Sequence, residues 1–136
     1  MKSTSLVQWS IVAAVSCAGL LLFSTREASA HARVVRSSPA GKAELTNSPT
    51  VVEIWFNELL DESFNSITVF PATELDAKKR TNLARGKAVV DAKDRTRLSI
   101  ELQPLQPGEY VVEWRVLSRD GHSAPGRFTF RVNPGK

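Results

Sequence analysis

Apolar and polar side chains alternate one by one in several short segments of this chain. The clearest segments are residues 97–103, 110–117 and 127–132, where every second residue is aliphatic or aromatic. A β-strand turns successive side chains to opposite faces, whereas a helix would repeat its apolar residues three and four apart. The pattern therefore predicts strands that pack one face against a core and expose the other face to solvent.

Turn-forming residues separate these segments and limit their length. A fourth strand is predicted at residues 51–57, and weaker alternation predicts strands at residues 33–36, 66–70 and 87–90. The intervening turn signals are Ser38-Pro39-Ala40-Gly41, Asn47-Ser48-Pro49, Gln106-Pro107-Gly108 and Asp120-Gly121. About seven short strands in about 100 residues predict an all-β domain, either a two-sheet sandwich or a Greek-key barrel.

The first 30 residues have the features of a secretory signal peptide. Lys2 gives a positive start, residues 11–23 form an uncharged apolar run, and Ala28-Ser29-Ala30 has the small-residue pattern of a cleavage site. The run is short for a membrane span, which needs about 20 residues. We expect cleavage after Ala30, which leaves residues 31–136 as a domain exported to the periplasm or the cell exterior. An uncleaved anchor and lipidation at Cys17 are the alternatives.

The composition of the exported part excludes several kinds of site. Cleavage would remove the one Cys and the one Met, and would leave 106 residues with a net charge of +3. Such a domain forms no disulfide, no thiolate zinc cluster and no thioether site for a soft metal. The basic stretch at residues 76–94 is interpreted as a solvated loop or hairpin. A nucleic-acid patch is the alternative, but the stretch has no aromatic side chain on which bases would stack.

The only two histidines, His31 and His122, both stand where they can chelate a metal ion. After cleavage His31 is the first residue, and its free amine and its imidazole can close one ring around a metal. Asp120 lies two residues before His122, so in an extended segment both side chains share one face, and Gly121 between them adds no bulk.

Together these groups supply three nitrogens and one carboxylate. Nitrogen-rich tetragonal sites with N and O donors suit Cu(II), which heads the affinity series of divalent first-row metals. Asp-Gly alone is also a common turn, and a single His at a strand end is usually a surface residue. The spacing of these residues leaves both interpretations open.

Several motifs resemble the copper-resistance protein CopC family, in the same order along residues 31–136. The most specific is the stretch from Trp114 through Arg115-Val116-Leu117-Ser118-Arg119-Asp120-Gly121 to His122. The other matching motifs are His31-Ala32, Ser38-Pro39-Ala40, Phe56-Asn57-Glu58, Pro107-Gly108-Glu109-Tyr110 and Gly126-Arg127-Phe128-Thr129-Phe130.

The resemblance implies a cupredoxin-like, Ig-like β-sandwich that binds one Cu(II) per chain outside the cytoplasm. The ligands that it implies are His31, through its amine and imidazole, together with Asp120 and His122. Glu58 matches a family glutamate that is either a further ligand or a hydrogen-bonding neighbour of the site.

This sequence departs from some family members in two ways. It lacks the Met-rich segment that would bind Cu(I), and the copper-transport domain of the CopD type, which some members carry as a fusion, is expected here as a separate protein. The expected function is a non-enzymatic Cu(II) carrier or buffer in copper homeostasis and resistance.

Two other classes of function are alternatives to the carrier. A copper-dependent polysaccharide monooxygenase also uses an N-terminal His, but Asp120 would fill a coordination position that oxygen needs. Trp55 is one outward-facing aromatic and offers little surface to a polysaccharide. A purely structural, adhesion-type sandwich is the third class.

Overall fold

The alternating segments form two four-stranded β-sheets, which confirms the all-β prediction. A computed structural model describes residues 32–135. Its eight strands are β1 (Val34–Ser38), β2 (Glu44–Leu45), β3 (Val51–Phe56), β4 (Ser66–Pro71), β5 (Ala84–Val90), β6 (Arg97–Leu102), β7 (Gly108–Leu117) and β8 (Ser123–Val132). One turn of 3-10 helix, Ala72–Glu74, follows β4. Within residues 32–135, no helix is long and apolar enough to cross a membrane.

One sheet has the strand order β1-β3-β6-β5 and the other has the order β2-β8-β7-β4. Neighbouring strands are antiparallel, except that the short β2 runs parallel to β8. The inward side chains of both sheets meet in one buried cluster, in which Ile54, Leu98, Val112 and Phe130 are almost fully covered. The domain is therefore a sandwich with its core between the sheets.

The strand predictions differ from the structure in several places, including β5, which begins at Ala84, three residues before its predicted start. The two-residue β2 was missed, and β8 begins at Ser123, four residues before the predicted start. In β7, Val111 is buried although the alternation assigned it to the solvent side. It pairs with Phe70 of β4, and the Arg80 guanidinium lies 4.5 Å from the centroid of the Phe70 ring. The segment after β4 thus covers part of the outer face of this sheet, which was expected to be exposed to solvent.

Three connections meet at one end of the sandwich. The register places Val34 at the start of β1 opposite Phe56 at the end of β3, and Leu117 at the end of β7 opposite Ser123 at the start of β8. The β3–β4 loop, residues 57–65, joins the sheets there, and its Leu60 pairs with Ser118. The entry to β1, the β3–β4 loop and the β7–β8 turn are therefore neighbours.

Replacing Gly126 by alanine is expected to disturb this core strongly. A Cβ atom at Gly126 would lie 2.2 Å from Cζ2 of Trp114, whose ring packs against Phe56 and Phe128. Because the indole would have to move, we expect Gly126→Ala to lower the free energy of unfolding by about 1–3 kcal/mol. Urea unfolding followed by tryptophan fluorescence measures the change. Gly41→Ala is the control, since its added methyl would make an ordinary 3.7 Å contact.

Candidate metal centre

The β7–β8 connection is a tight turn that carries the Asp120-Gly121-His122 motif. The amide of Ser118 donates to the carbonyl of His122 at 2.9 Å, and the amide of Gly121 donates to the carbonyl of Ser118 at 2.9 Å. Gly121 has a φ of 89°, which a residue without a Cβ atom adopts at little cost. The motif is thus a turn rather than the extended segment from which the shared face was argued.

The turn nevertheless brings Asp120 and His122 into direct contact. Nδ1 of His122 lies 3.0 Å from Oδ2 of Asp120, and the backbone amide of His122 donates to Oδ1 of Asp120 at 3.1 Å. The side chains are 41% exposed for Asp120 and 61% exposed for His122, so a metal ion can reach both from solvent. The backbone hydrogen bond from His122, followed by that from its side chain, lowers the pKa of the Asp120 carboxyl.

Asp120→Asn is expected to reduce the stability of the metal-free protein at neutral pH only. A carboxyl whose pKa is lowered by folding stabilises the protein above its unfolded pKa of about 3.9, and this contribution is lost as the pH falls through the folded value. The asparagine amide resembles the protonated carboxyl, so the difference between the two proteins at pH 7 should shrink at acid pH, as the pH falls through the folded pKa of Asp120. Urea midpoints at both pH values measure the difference, with exposed Asp76→Asn as the control for net charge. A difference of equal size at both pH values would contradict the assignment.

The β3–β4 loop is held against this turn by backbone hydrogen bonds. The amide of Arg119 donates to the carbonyl of Leu59 at 3.1 Å, and the amide of Asp61 donates to the carbonyl of Leu117 at 2.8 Å. Glu58 is half-buried and directly precedes Leu59 in this loop. Within residues 32–135, no three His, Cys, Asp or Glu side chains converge as a metal cluster. Glu58 therefore belongs to the loop that is bonded to the Asp120–His122 turn, but among residues 32–135 it does not complete a three-residue site with that pair.

The start of the described chain is fixed at the same end of the sandwich. Ala32 is buried in the core cluster. The amide of Arg33 donates to Oδ1 of Asn57 at 2.6 Å, and the amide of Asn57 donates back to the carbonyl of Arg33 at 3.0 Å. His31, which precedes Ala32 in the sequence, lies outside the described residues. The entry to β1 and the Asp120–His122 turn are thus both tied to the β3–β4 loop.

Two residues of this region had no role in the sequence interpretation, Asn57 and Ser118. Both residues lie inside motifs that resemble the CopC family, and this position was the one feature of the sequence that could have drawn attention to them. Ser118 is 2% exposed, and its Oγ atom has no hydrogen-bond partner among residues 32–135. A buried hydroxyl without a hydrogen-bond partner is energetically costly.

The donor geometry of Asp120 and His122 is compatible with a first-row metal ion. Nitrogen and oxygen ligands lie about 2.0–2.2 Å from such an ion, so two ligands at a right angle are about 3 Å apart. The observed 3.0 Å between Nδ1 and Oδ2 matches this separation. If the contact is instead kept as a hydrogen bond, Asp120 orients the ring for coordination through Nε2, as carboxylates commonly do for ligating histidines. His122 supplies a ring nitrogen in either arrangement.

Comparison with known proteins decides the family. The profile described as "CopC domain" matches residues 34–133, which include all eight strands. The chain belongs to the CopC family.

This CopC domain is similar to proteins and structures of several bacteria. It is 32% identical over 104 residues to protein YobA of Escherichia coli K12, covering 76% of this chain and 79% of that protein. It is 32% identical over 106 residues to copper resistance protein C of Pseudomonas syringae pv. tomato, covering 77% and 82%. The crystal structure of CopC from Methylosinus trichosporium OB3b aligns with a TM-score of 0.65 and 31% identity, covering 78% of this chain and 97% of that one.

Membership assigns the domain a copper-related function and places it among copper resistance and copper transport proteins rather than enzymes. Trp55, the outward-facing aromatic, is half-buried, and the Arg36 guanidinium lies 3.4 Å from the centroid of its ring. One face of the indole therefore stacks on an arginine.

Proposed function

We propose that this chain is exported, loses residues 1–30 as a signal peptide, and holds one Cu(II) as a carrier or buffer in the periplasm or outside the cell. The proposed ligands are the amine and imidazole of His31, the imidazole of His122 and the carboxylate of Asp120. Glu58 lies beside them as a further ligand or as a hydrogen-bonding neighbour. The copper ion is cargo here, so holding and releasing it is the function.

The observation that carries this proposal is the contact between Asp120 and His122 at the end where the chain enters the sandwich. Ala32 is buried and Arg33 is bonded to Asn57 at that end. Consecutive Cα atoms are about 3.8 Å apart, so the residue before Ala32 is tethered to this end by covalent geometry. The amine and imidazole of His31 are therefore proposed to complete the site with the Asp120–His122 pair.

The chemistry of the proposed donors favours Cu(II) over softer or harder ions. Residues 31–136 contain no Cys or Met, so no thiolate or thioether is available to Cu(I). Two imidazoles, an amine and one carboxylate form a mixed N and O set of the kind that tetragonal Cu(II) prefers. The lowered pKa of Asp120 supports the proposal, because the carboxylate keeps its charge in mildly acid conditions.

The exposure of the two described ligands suits a carrier. Asp120 and His122 lie on a surface turn, so an incoming ligand from another protein can replace them one at a time. A separate membrane protein of the CopD type is the proposed recipient or donor. Protonation of the imidazoles and the amine would assist release, since each of these nitrogens binds a metal only when deprotonated.

Titration of the protein that begins at His31 with Cu(II) tests the function. We expect saturation at one Cu(II) per chain and an electron paramagnetic resonance spectrum of a tetragonal, nitrogen-rich site. Zinc and calcium at equal concentration should not displace the copper, in keeping with the affinity order for such donors. Failure to bind Cu(II), or a spectrum without nitrogen ligands, would contradict the proposal.

A further inference from the structure

Asn57 forms a two-point clamp on the first described residues of the chain. Its side-chain Oδ1 accepts the amide of Arg33 at 2.6 Å, and its backbone amide donates to the carbonyl of Arg33 at 3.0 Å. The two bonds hold both polar backbone groups of one residue, which fixes the position and the direction of that residue. The clamp acts two residues after position 31.

The same stretch of loop also holds the other half of the site. Two residues after Asn57, the carbonyl of Leu59 accepts the amide of Arg119, the residue before Asp120. Residues 57–59 thus connect the entry to β1 with the Asp120–His122 turn through hydrogen bonds at each end. This short span of backbone therefore joins the residues just after position 31 to the residue just before Asp120.

The side chain of Asn57 is exposed, which separates its role from that of core residues. An exposed side-chain hydrogen bond adds little to global stability, but it can order a chain terminus that would otherwise fray. We infer that Asn57 is a positioning residue of the copper centre, which aims the N-terminal segment at the Asp120–His122 pair through its bond to the Arg33 amide. This inference rests on the proposed copper-binding function and assigns a role to a residue outside the ligand set.

Asn57→Leu tests the inference, because leucine keeps the approximate size of the side chain and removes the acceptor oxygen. Asn57→Asp keeps an acceptor oxygen in place. Asn47→Leu is the matched control, since Asn47 is an exposed asparagine that precedes β3, whereas Asn57 follows it. Should Asn57→Leu fold poorly, Asn57→Ala removes the same oxygen without adding apolar surface.

Two measurements are needed, one of them in the absence of copper. In metal-free Asn57→Leu we expect the Arg33 amide to exchange its hydrogen at least about tenfold faster, with an unchanged urea midpoint. In the same variant we expect Cu(II) affinity to fall at least about tenfold. Binding would then have to order the N-terminal segment, and the lost conformational entropy would oppose it. Asn57→Asp and Asn47→Leu should keep both properties.

The outcomes separate this inference from the function on which it rests. If the wild type binds Cu(II) and Asn57→Leu binds it equally well, the positioning role is wrong and the function stands. If Arg33 exchange is unchanged in the variant, the clamp itself is wrong, whatever the copper result. If the wild type binds no Cu(II), the proposed function fails.

Discussion

A protein with one alanine added before His31 should bind Cu(II) at least about 100-fold more weakly than the protein that begins at His31. The addition turns the α-amine of His31 into an amide nitrogen, which is a poor donor, and opens the chelate ring between that nitrogen and the imidazole. Each tenfold loss of affinity corresponds to about 1.4 kcal/mol of binding free energy. A hundredfold loss therefore assigns about 2.8 kcal/mol to the amine as one ligand of the chelate.

Competition with a chromophoric chelator measures this loss. An alanine added after Lys136 is the matched control, because it adds the same residue at the other terminus. Equal affinity in the two extended proteins would show that the amine of His31 is not a ligand. A loss confined to the N-terminal extension would identify the free amine as part of the site.

His122→Ala is the second change with a large expected effect. It removes the one imidazole in residues 32–135, and we expect Cu(II) affinity to fall at least about 100-fold. The side chain is 61% exposed and contacts Asp120 on the surface, so the fold should tolerate its loss.

The same chelator competition measures the affinity, and the circular dichroism and urea midpoint of the metal-free variant check the fold. Exposed Ser123→Ala is the control at the neighbouring position. Unchanged copper affinity in a folded His122→Ala protein would remove the β7–β8 turn from the site.

Strand positions were predictable wherever one face of a strand is buried and the other face is exposed to solvent. Val52, Ile54 and Phe56 are buried as their alternation requires. The same rule failed at Val111. The segment after β4 packs on the outer face of the sheet that contains Val111, and the sequence of one strand does not show that another segment packs there. Strand β2 could not be predicted either, because two residues are too few to show an alternation of apolar and polar side chains.

Candidate ligands could be proposed from the sequence, whereas the residues that hold them in place could not. The spacing of Asp120 and His122 singled out the pair, and their contact depends on a turn rather than on an extended strand. Asn57 acts through backbone groups of Arg33, 24 residues earlier in the chain, and no local pattern encodes such a contact. The burial of Ser118 was not predictable either, because burial at a strand end depends on the neighbouring loop.

The most direct test of this account is the mass of the exported protein, measured under native conditions with and without Cu(II). The metal-free mass should correspond to a chain that begins at His31, and the loaded mass should exceed it by one copper ion. A chain that begins at any other residue, or a protein that gains no copper while starting at His31, would contradict the central claim.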